Sequence, residues 1–386
     1  MKARNRFLDA DLLHSDRLRR LAPAWVKNLV KRRIPFADFR GNQLRREAEG
    51  RFGGPIPLAS DYDSPYDVRL GIFSDRGCTF AHNVAACRDL RVPFTVIDLA
   101  ADDWQRRVAE SGCGAFLATP DTLRHAWRLL HEERLWTLTR ELGKVVCPTF
   151  EELFLWESKR RMRDWLMAHD VPHPETRVFF EREAALDFCR ESTYPLVCKT
   201  DRGAASVGIF VLRDAAAAAR LVERAFSEGL LARETDARER ERGSILFQEH
   251  VPHDYEWRVV RVGDSFMCRR KVRAGDYASG SGEIGWAEPL PGMLEFARKV
   301  TDTGGFRSMS VDLFENTTGR GESPFLVNEL QALIGAIKKP DAPDERAGRW
   351  LREPGGEWRF EPGFFYDNAC ANLRVEMLLD DLGVAR

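Results

Sequence analysis

The sequence predicts a small α/β unit built on a parallel sheet, followed by a larger α+β unit rich in antiparallel strands. Three observations lead there. From Val68 to about Phe150, short β-branched runs alternate with helical ones, which is the rhythm of parallel strands with helical crossovers. From Ser244 onward, strand patterns follow one another with short turns and few helices. The length of 386 residues, with 44% hydrophobic and 31% charged residues, is that of a globular chain of two or three packed units.

The first 65 residues read as a basic arm and linker. Residues 1–51 hold 14 Lys and Arg against 6 Asp and Glu, although the whole chain carries a formal charge of only −1. Leu18, Leu21, Trp25 and Leu29 recur at helical spacing between basic residues. Such a stripe suits an anionic membrane or nucleic acid, and equally a helix docked on its own protein. Residues 51–65, rich in Gly, Pro, Asp and Ser, read as the linker. No run approaches the roughly 20 apolar residues of a membrane span, and the N-terminus lacks the apolar core of a signal peptide, so a cytoplasmic location is expected. The eight cysteines contain no CxxC and fall in apolar segments, as buried reduced thiols do.

Residues 66–150 carry the parallel strands VRLGIFS, FTVIDL, AFLAT and VVCP with helical segments between them. The turn after the first, Ser74-Asp75-Arg76-Gly77, is a place for a ligand or simply a turn; no GxGxxG follows it, so a dinucleotide site is not supported. Residues 151–240 open with a helix around Glu157–His169 and a Pro-rich turn, then mix strands and helices. The stretch 233–243, RETDARERERG, reads as a solvated loop. Residues 241–386 hold the strands SILFQEHV, YEWRVVRV, SFMCRRKV, SMSVDLFEN and FLVNELQA, a helix from Met293 to Asp302, and a C-terminal covering loop with a closing helix.

Four features carry chemistry. Lys159 lies on a helix, and Lys199 ends the apolar strand PLVC just before a loop of small residues from Gly203 through Ser206 to Gly208. A lysine there neutralises phosphate charge while small residues let backbone N–H groups approach the oxygens; the same pattern also fits a solvated turn. Gln248, Glu249 and Val251 close the next strand, where exposed backbone can meet an adenine edge and the carboxylate of Glu256 shortly after can bind ribose hydroxyls; an ordinary strand followed by a polar turn gives the same pattern. The hairpin from Glu256 to Val272 presents Arg258, Arg261, Arg269, Arg270 and Lys271, and alternation puts Arg269 and Lys271 on the face opposite Arg270. Asp312 and Glu329 sit within apolar runs on strands expected to be neighbours, so each needs a cation. With the Gln331 amide they suit Mg²⁺, and a salt bridge to a hairpin arginine would satisfy them as well.

The order of these parts resembles the ATP-grasp superfamily, in its branch of RimK-like and glutathione-synthetase-like ligases, over residues 68–335. The resemblance implies a small pre-ATP-grasp domain followed by a two-part ATP-grasp clamp. It makes Lys159 and Lys199 the lysines on the ATP phosphates, Gly203–Gly208 the flap, Gln248–Val251 the adenine strand and Glu256 the ribose acid. It makes Arg270 the transition-state arginine, with Arg269 or Lys271 taking that place if the register differs by one, and Arg258 and Lys271 further catalytic cations. It makes Asp312, Glu329 and Gln331 the metal ligands, where Gln331 replaces the usual Asn and the usual Pro-Gly after it is missing. Gly275-Asp276-Tyr277 resembles a loop of the RimK-like branch in which Ala278 replaces the expected Arg. The implied cofactors are ATP and Mg²⁺, and the implied reaction joins a small carboxylate to an amine through an acyl phosphate. No nucleic acid is obligatory, and self-association into a homo-oligomer stays open. Phosphoryl transfer to a hydroxyl and a non-catalytic nucleotide-binding regulator are the alternatives.

Overall fold

The computed structural model describes residues 36–121, 123–203, 208–231, 239–273, 284–337, 339 and 346–384. The apolar stripe Leu18–Leu29, Ser206 of the flap and the loop Gly275–Tyr277 lie outside these residues. Helix α1 (Phe36–Phe52) leads in. The first layer then alternates β1 (Leu70–Ser74), α2 (Ala81–Asp89), β2 (Phe94–Asp98), α3 (Trp104–Glu110), β3 (Ala115–Leu117), α4 (His125–Trp136) and β4 (Val145–Cys147). Its four strands are all parallel, in the order β2-β1-β3-β4, as the alternating pattern requires. The expected linker does more than connect. Leu58 and Ser60 bond the backbone of β2, and Phe52, Ile56 and Tyr62 pack on the core.

Next come α5 (Phe150–Leu155), α6 (Lys159–Ala168), β5 (Thr176–Phe179), α7 (Arg182–Glu191), β6 (Leu196–Lys199), β7 (Ile209–Leu212), α8 (Ala215–Ser227) and β8 (Ile245–Glu249). Their strands form an antiparallel sheet, β5-β8-β6-β7, with its own small core against α7 and α8. Helix α5 starts at a capping box, with the Thr149 hydroxyl accepting from Glu152 N–H and the Glu152 carboxylate accepting from Thr149 N–H.

The large sheet holds β9 (Tyr255–Val262), β10 (Ser265–Val272), β11 (Ile284–Trp286), β12 (Ser308–Glu315), β13 (Phe325–Gln331), β14 (Gly348–Arg352) and β15 (Trp358–Pro362), with α9 (Met293–Thr303) and α10 (Ala371–Asp381) packed on it. Its order is β13-β12-β9-β10-β14-β15, all antiparallel, with β11 also beside β10. Here the structure corrects the expected covering loop. Residues 348–362 are a hairpin, because two alternating runs flank the turn Pro354-Gly355-Gly356. The segment 233–243 is corrected too. Its far end turns inward, and Glu241 accepts the N–H groups of Asp201 and Arg202 at 2.6 and 3.0 Å.

Two apolar cores run across the expected domain boundaries. One joins Phe73, Trp104 and Phe116 of the parallel layer to Val259, Val311 and Leu313 of the large sheet. The other joins Leu70, Ile72 and Val84 to Val260, Met267 and α10. All eight cysteines are buried free thiols. Among the described residues no helix is long and apolar enough to cross a membrane.

Candidate active site

The site grows from the register of the large sheet. The β9–β10 hairpin turns on Gly263-Asp264, which pairs Val262 with Ser265 and so places Lys271 opposite Glu256 and Arg269 opposite Arg258. On the other side of β9, Arg258 faces Asp312, which faces Glu329 on β13, while Arg269 faces Trp286 on β11. Glu329, Asp312, Arg258, Arg269 and Trp286 thus form one cross-strand row on a single face.

Asp312 is fully buried at the centre of that row. Its Oδ1 accepts Arg258 Nε at 2.6 Å, and its Oδ2 accepts Arg258 Nη2 at 2.7 Å and Lys271 Nζ at 2.8 Å. Burial opposes ionisation, but the two cations outweigh it and hold Asp312 far below the usual carboxylate range. Lys271 also donates to Glu256. Burial pushes the Glu256 carboxyl up to about 7, partly offset by Lys271. Two carboxylates share one ammonium, and the one without the guanidinium bears the cost of burial.

Lys159 and Lys199 approach the same region from two other elements. Lys159 opens α6 behind the N-cap Ser158; its Nζ donates to the Gly203 carbonyl at 2.8 Å and lies 3.6 Å from Glu329. Lys199 ends β6 and donates to Asn328 Oδ1 at 2.8 Å. Asn328 was not anticipated. The register of β12 on β13 shifts between Asp312 and Leu313, so Asn328 is an extra residue in the ladder, and this bulge presents it beside Glu329. A bulge of this kind leaves no signal in strand alternation. The flap ends Gly203 and Gly208 have φ of 128° and 81°, where glycine alone is unstrained.

Several expectations need correction. Arg270 does not face the site; it lies on the opposite face of β10 with its guanidinium 4.1 Å from the Tyr255 ring, and Arg269 and Lys271 hold the site face. Strand β8 is internal, between β5 and β6, so its backbone is paired through Glu249 and offers no open edge along Gln248–Glu249. The Gln248 amide donates to Thr176 Oγ1 at 3.1 Å, Glu249 accepts Glu175 N–H at 2.8 Å, and Val251 packs with Phe314 and Leu326. The expected metal set does not fit Mg²⁺ as it stands. Asp312 is saturated by Arg258 and Lys271, Gln331 Oε1 accepts the Trp156 indole N–H at 3.1 Å, and Asn328 Oδ1 accepts Lys199. Among the described residues no three His, Cys, Asp or Glu converge to hold a cation. At Asp312 the structure takes the salt-bridge alternative.

Lys159, Lys199, Gln248, Thr176 and Asn328 line one cavity of about 20 Å³, room for a water but not for a nucleotide. A separate cavity of about 600 Å³ lies at the carboxyl ends of β1 and β2, beside the turn Ser74–Gly77 and next to Trp127 and His131 of α4.

Burial pulls Lys199 down to about 8 from its ordinary 10.5; Glu329 opposes this and Lys159 adds to it. Because the folded value is the lower one, the unfolded chain binds more protons between those limits, and this group's contribution to stability rises with pH across that window. Its capacity for phosphate does the reverse. Binding of inorganic phosphate beside this ammonium should weaken as pH climbs through about 8, and Lys199→Arg should flatten that fall, as titrations across pH 6–10 would show.

No family model and no curated protein matches the sequence. Solved structures similar in fold include a RimK domain ATP-grasp protein from Sphaerobacter thermophilus, at 20% identity and TM-score 0.45, covering 68% of this chain and 90% of that one. A D-alanine–D-alanine ligase from Bacillus anthracis is similar at 14% identity and TM-score 0.48, covering 69% and 87%. An ADP complex of N5-carboxyaminoimidazole ribonucleotide synthetase is similar at 14% identity and TM-score 0.49, covering 69% and 70%.

Proposed function

We propose that this chain is an ATP-grasp protein acting as an ATP-dependent carboxylate–amine ligase, with ATP held between the small antiparallel sheet and the charged face of the large one. One observation carries this reading: two buried lysines from separate elements, Lys159 and Lys199, converge on Asn328 and Glu329 of the facing sheet. Burying two ammonium groups side by side is costly, and a polyphosphate is the ligand that reverses that cost. The cavity between them is small, so the sheets would separate to admit nucleotide.

The chemistry follows from charge. A carboxylate oxygen of the acid would attack the γ-phosphorus, the bond to the β–γ bridging oxygen would break, and ADP would leave. The amine would then attack the acyl carbon, expel phosphate and lose a proton. Lys159 and Lys199 would neutralise the phosphates, while Arg258 and Lys271, anchored by Asp312, would set a positive field for the incoming carboxylate. Mg²⁺ would arrive as the companion of ATP, and no step here depends on it.

The test is a screen of carboxylic and amino acids with ATP, Mg²⁺ and hydroxylamine, reading hydroxamate and ADP together. Acid-dependent ADP with matching hydroxamate supports the ligase; a phosphorylated alcohol without hydroxamate identifies a phosphotransferase. The saturated state of Asp312 favours a second reading, a nucleotide-binding regulator without turnover. Acid-dependent turnover by the wild-type protein separates them. In a ligase Glu329→Gln, which removes the anion beside Lys159, should lower turnover and leave the melting midpoint nearly unchanged, since the carboxylate is partly exposed and its ion pair with Lys159 is long, at 3.6 Å. Retained turnover in that variant would remove Glu329 from the site.

A further inference from the structure

The turn Ser74–Gly77 takes no part in the lysine clamp, yet it borders the cavity of about 600 Å³, within the roughly 300–1,000 Å³ of small-molecule sites. The cavity lies outside the carboxyl ends of β1 and β2, where parallel sheets place their ligands. Helix α1 closes one side through Gly41, Asn42 and Arg45. A Cβ at Gly41 would lie 3.3 Å from the Arg76 carbonyl oxygen, so glycine lets the helix sit against the turn. That helix precedes the part of the chain that resembles ATP-grasp proteins. Ile56, Leu58, Phe80 and Leu130 make much of the remaining wall apolar.

The polar groups at the turn leave no place for a phosphate. Asp75 is buried, and its carboxylate accepts the N–H groups of Thr79 at 3.1 Å and Phe80 at 2.8 Å and the Thr119 hydroxyl at 3.3 Å. Those N–H groups lead into α2, the position at which nucleotide folds hold phosphate. Burial pushes the Asp75 carboxyl up to about 6, so a second anion beside it is disfavoured. Asp121 Oδ2 takes the Arg76 N–H at 3.0 Å in the same way. What stays available is a carboxylate and a plane. Asp98 closes β2 about 20 residues after the turn, where an acid receives ribose hydroxyls in parallel-sheet nucleotide folds. Its Oδ1 accepts the Ala100 N–H at 2.8 Å, which orients the side chain, and among the described residues it forms no ion pair. Two guanidiniums pack on the Trp127 ring, Arg76 at 4.4 Å and Arg124 at 5.0 Å. The flat surface offered to a ligand is therefore that of Arg76, an exposed residue, and guanidinium planes stack on bases.

We infer that this cavity binds a ribonucleoside without phosphates, its vicinal hydroxyls donating to Asp98 and its base stacked on Arg76, which Trp127 backs. A carboxylate that can accept from two neighbouring hydroxyls suits the sugar, and the apolar wall suits the uncharged faces of sugar and base. The site is separate from Lys159 and Lys199 and does not rest on the ligase reading.

The experiment is calorimetric titration of the full chain with adenosine, guanosine, cytidine and uridine, of which at least one should bind saturably. Its 2′-deoxy form should bind about tenfold more weakly, because the carboxylate loses a donor, and its 5′-monophosphate should bind no more tightly than the nucleoside. Asp98→Asn keeps an oxygen for the Ala100 N–H but loses the charge. It should weaken the nucleoside about tenfold and erase the preference over the deoxy form, with an unchanged melting midpoint because Asp98 is exposed. Lys199→Met should bind the nucleoside as wild type does. No binding of any of the four, equal binding to Asp98→Asn, or a monophosphate held more than tenfold tighter would overturn the site. Loss of nucleoside binding in Lys199→Met would move the ligand to the clamp and overturn it as well. ATP is titrated in parallel: nucleoside binding without ATP binding would keep this site and remove the clamp, and the reverse would keep the clamp and remove this site.

Discussion

Asp312→Asn is expected to destabilise the protein by about 3–5 kcal/mol, the largest effect of any single change in the site. The amide keeps the size of the carboxylate and removes its charge, so Arg258 and Lys271 lose the anion that both of them donate to. Water cannot replace it, because Asp312 is fully buried. Glu256 would soften the loss by ionising more readily once its acidic neighbour is gone, which favours the lower end of the range. Glu256→Gln should cost clearly less, since burial already holds that carboxyl near neutrality. Urea unfolding with an unchanged m-value would measure both. If Asp312→Asn cost under about 1 kcal/mol, the network would not be the structural centre of the sheet.

Lys199→Met should produce the opposite pattern, an effect on ligand with little on fold. Removing a cation whose ionisation is opposed by burial relieves one cost, while Asn328 Oδ1 loses its donor, so net stability should stay within about 1 kcal/mol. ATP affinity should fall about 100-fold, the equivalent of one hydrogen bond to a charged group near the upper end of its range. Lys159→Met should act similarly but disturb the flap, because its ammonium also holds the Gly203 carbonyl. An unfolded Lys199→Met protein would assign this lysine a structural role instead.

Much of this architecture was legible in the chain. The change from alternating strands and helices to consecutive strands locates the parallel layer and the large sheet, and β9, β10, β12 and β13 begin and end close to their apolar alternation. Lys199 and Glu329 were readable because charged residues at the end or centre of an apolar run demand partners, whereas Lys159, amid charged residues on a helix, was singled out only by its place ahead of Lys199. Alternation separates Arg269 and Lys271 from Arg270, but the choice of face came from the register: the two-residue turn Gly263-Asp264 sets Lys271 opposite Glu256, which puts Arg269 and not Arg270 on the site face. The rest depends on contacts distant in sequence. The bulge at Asn328, the inward turn of Glu241 and the saturation of Asp312 arise from tertiary pairing, which no local pattern encodes. Whether Asp312 meets a metal or an arginine is decided by the strand beside it.

The central claim, that the two antiparallel sheets clamp ATP through Lys159 and Lys199, is tested most directly by calorimetric titration of ATP with and without Mg²⁺ into wild-type protein and Lys199→Met. Saturable binding of one ATP per chain in the wild type, weakened about 100-fold in the variant, is the predicted result. No binding to folded wild-type protein, or equal binding to both, would contradict it.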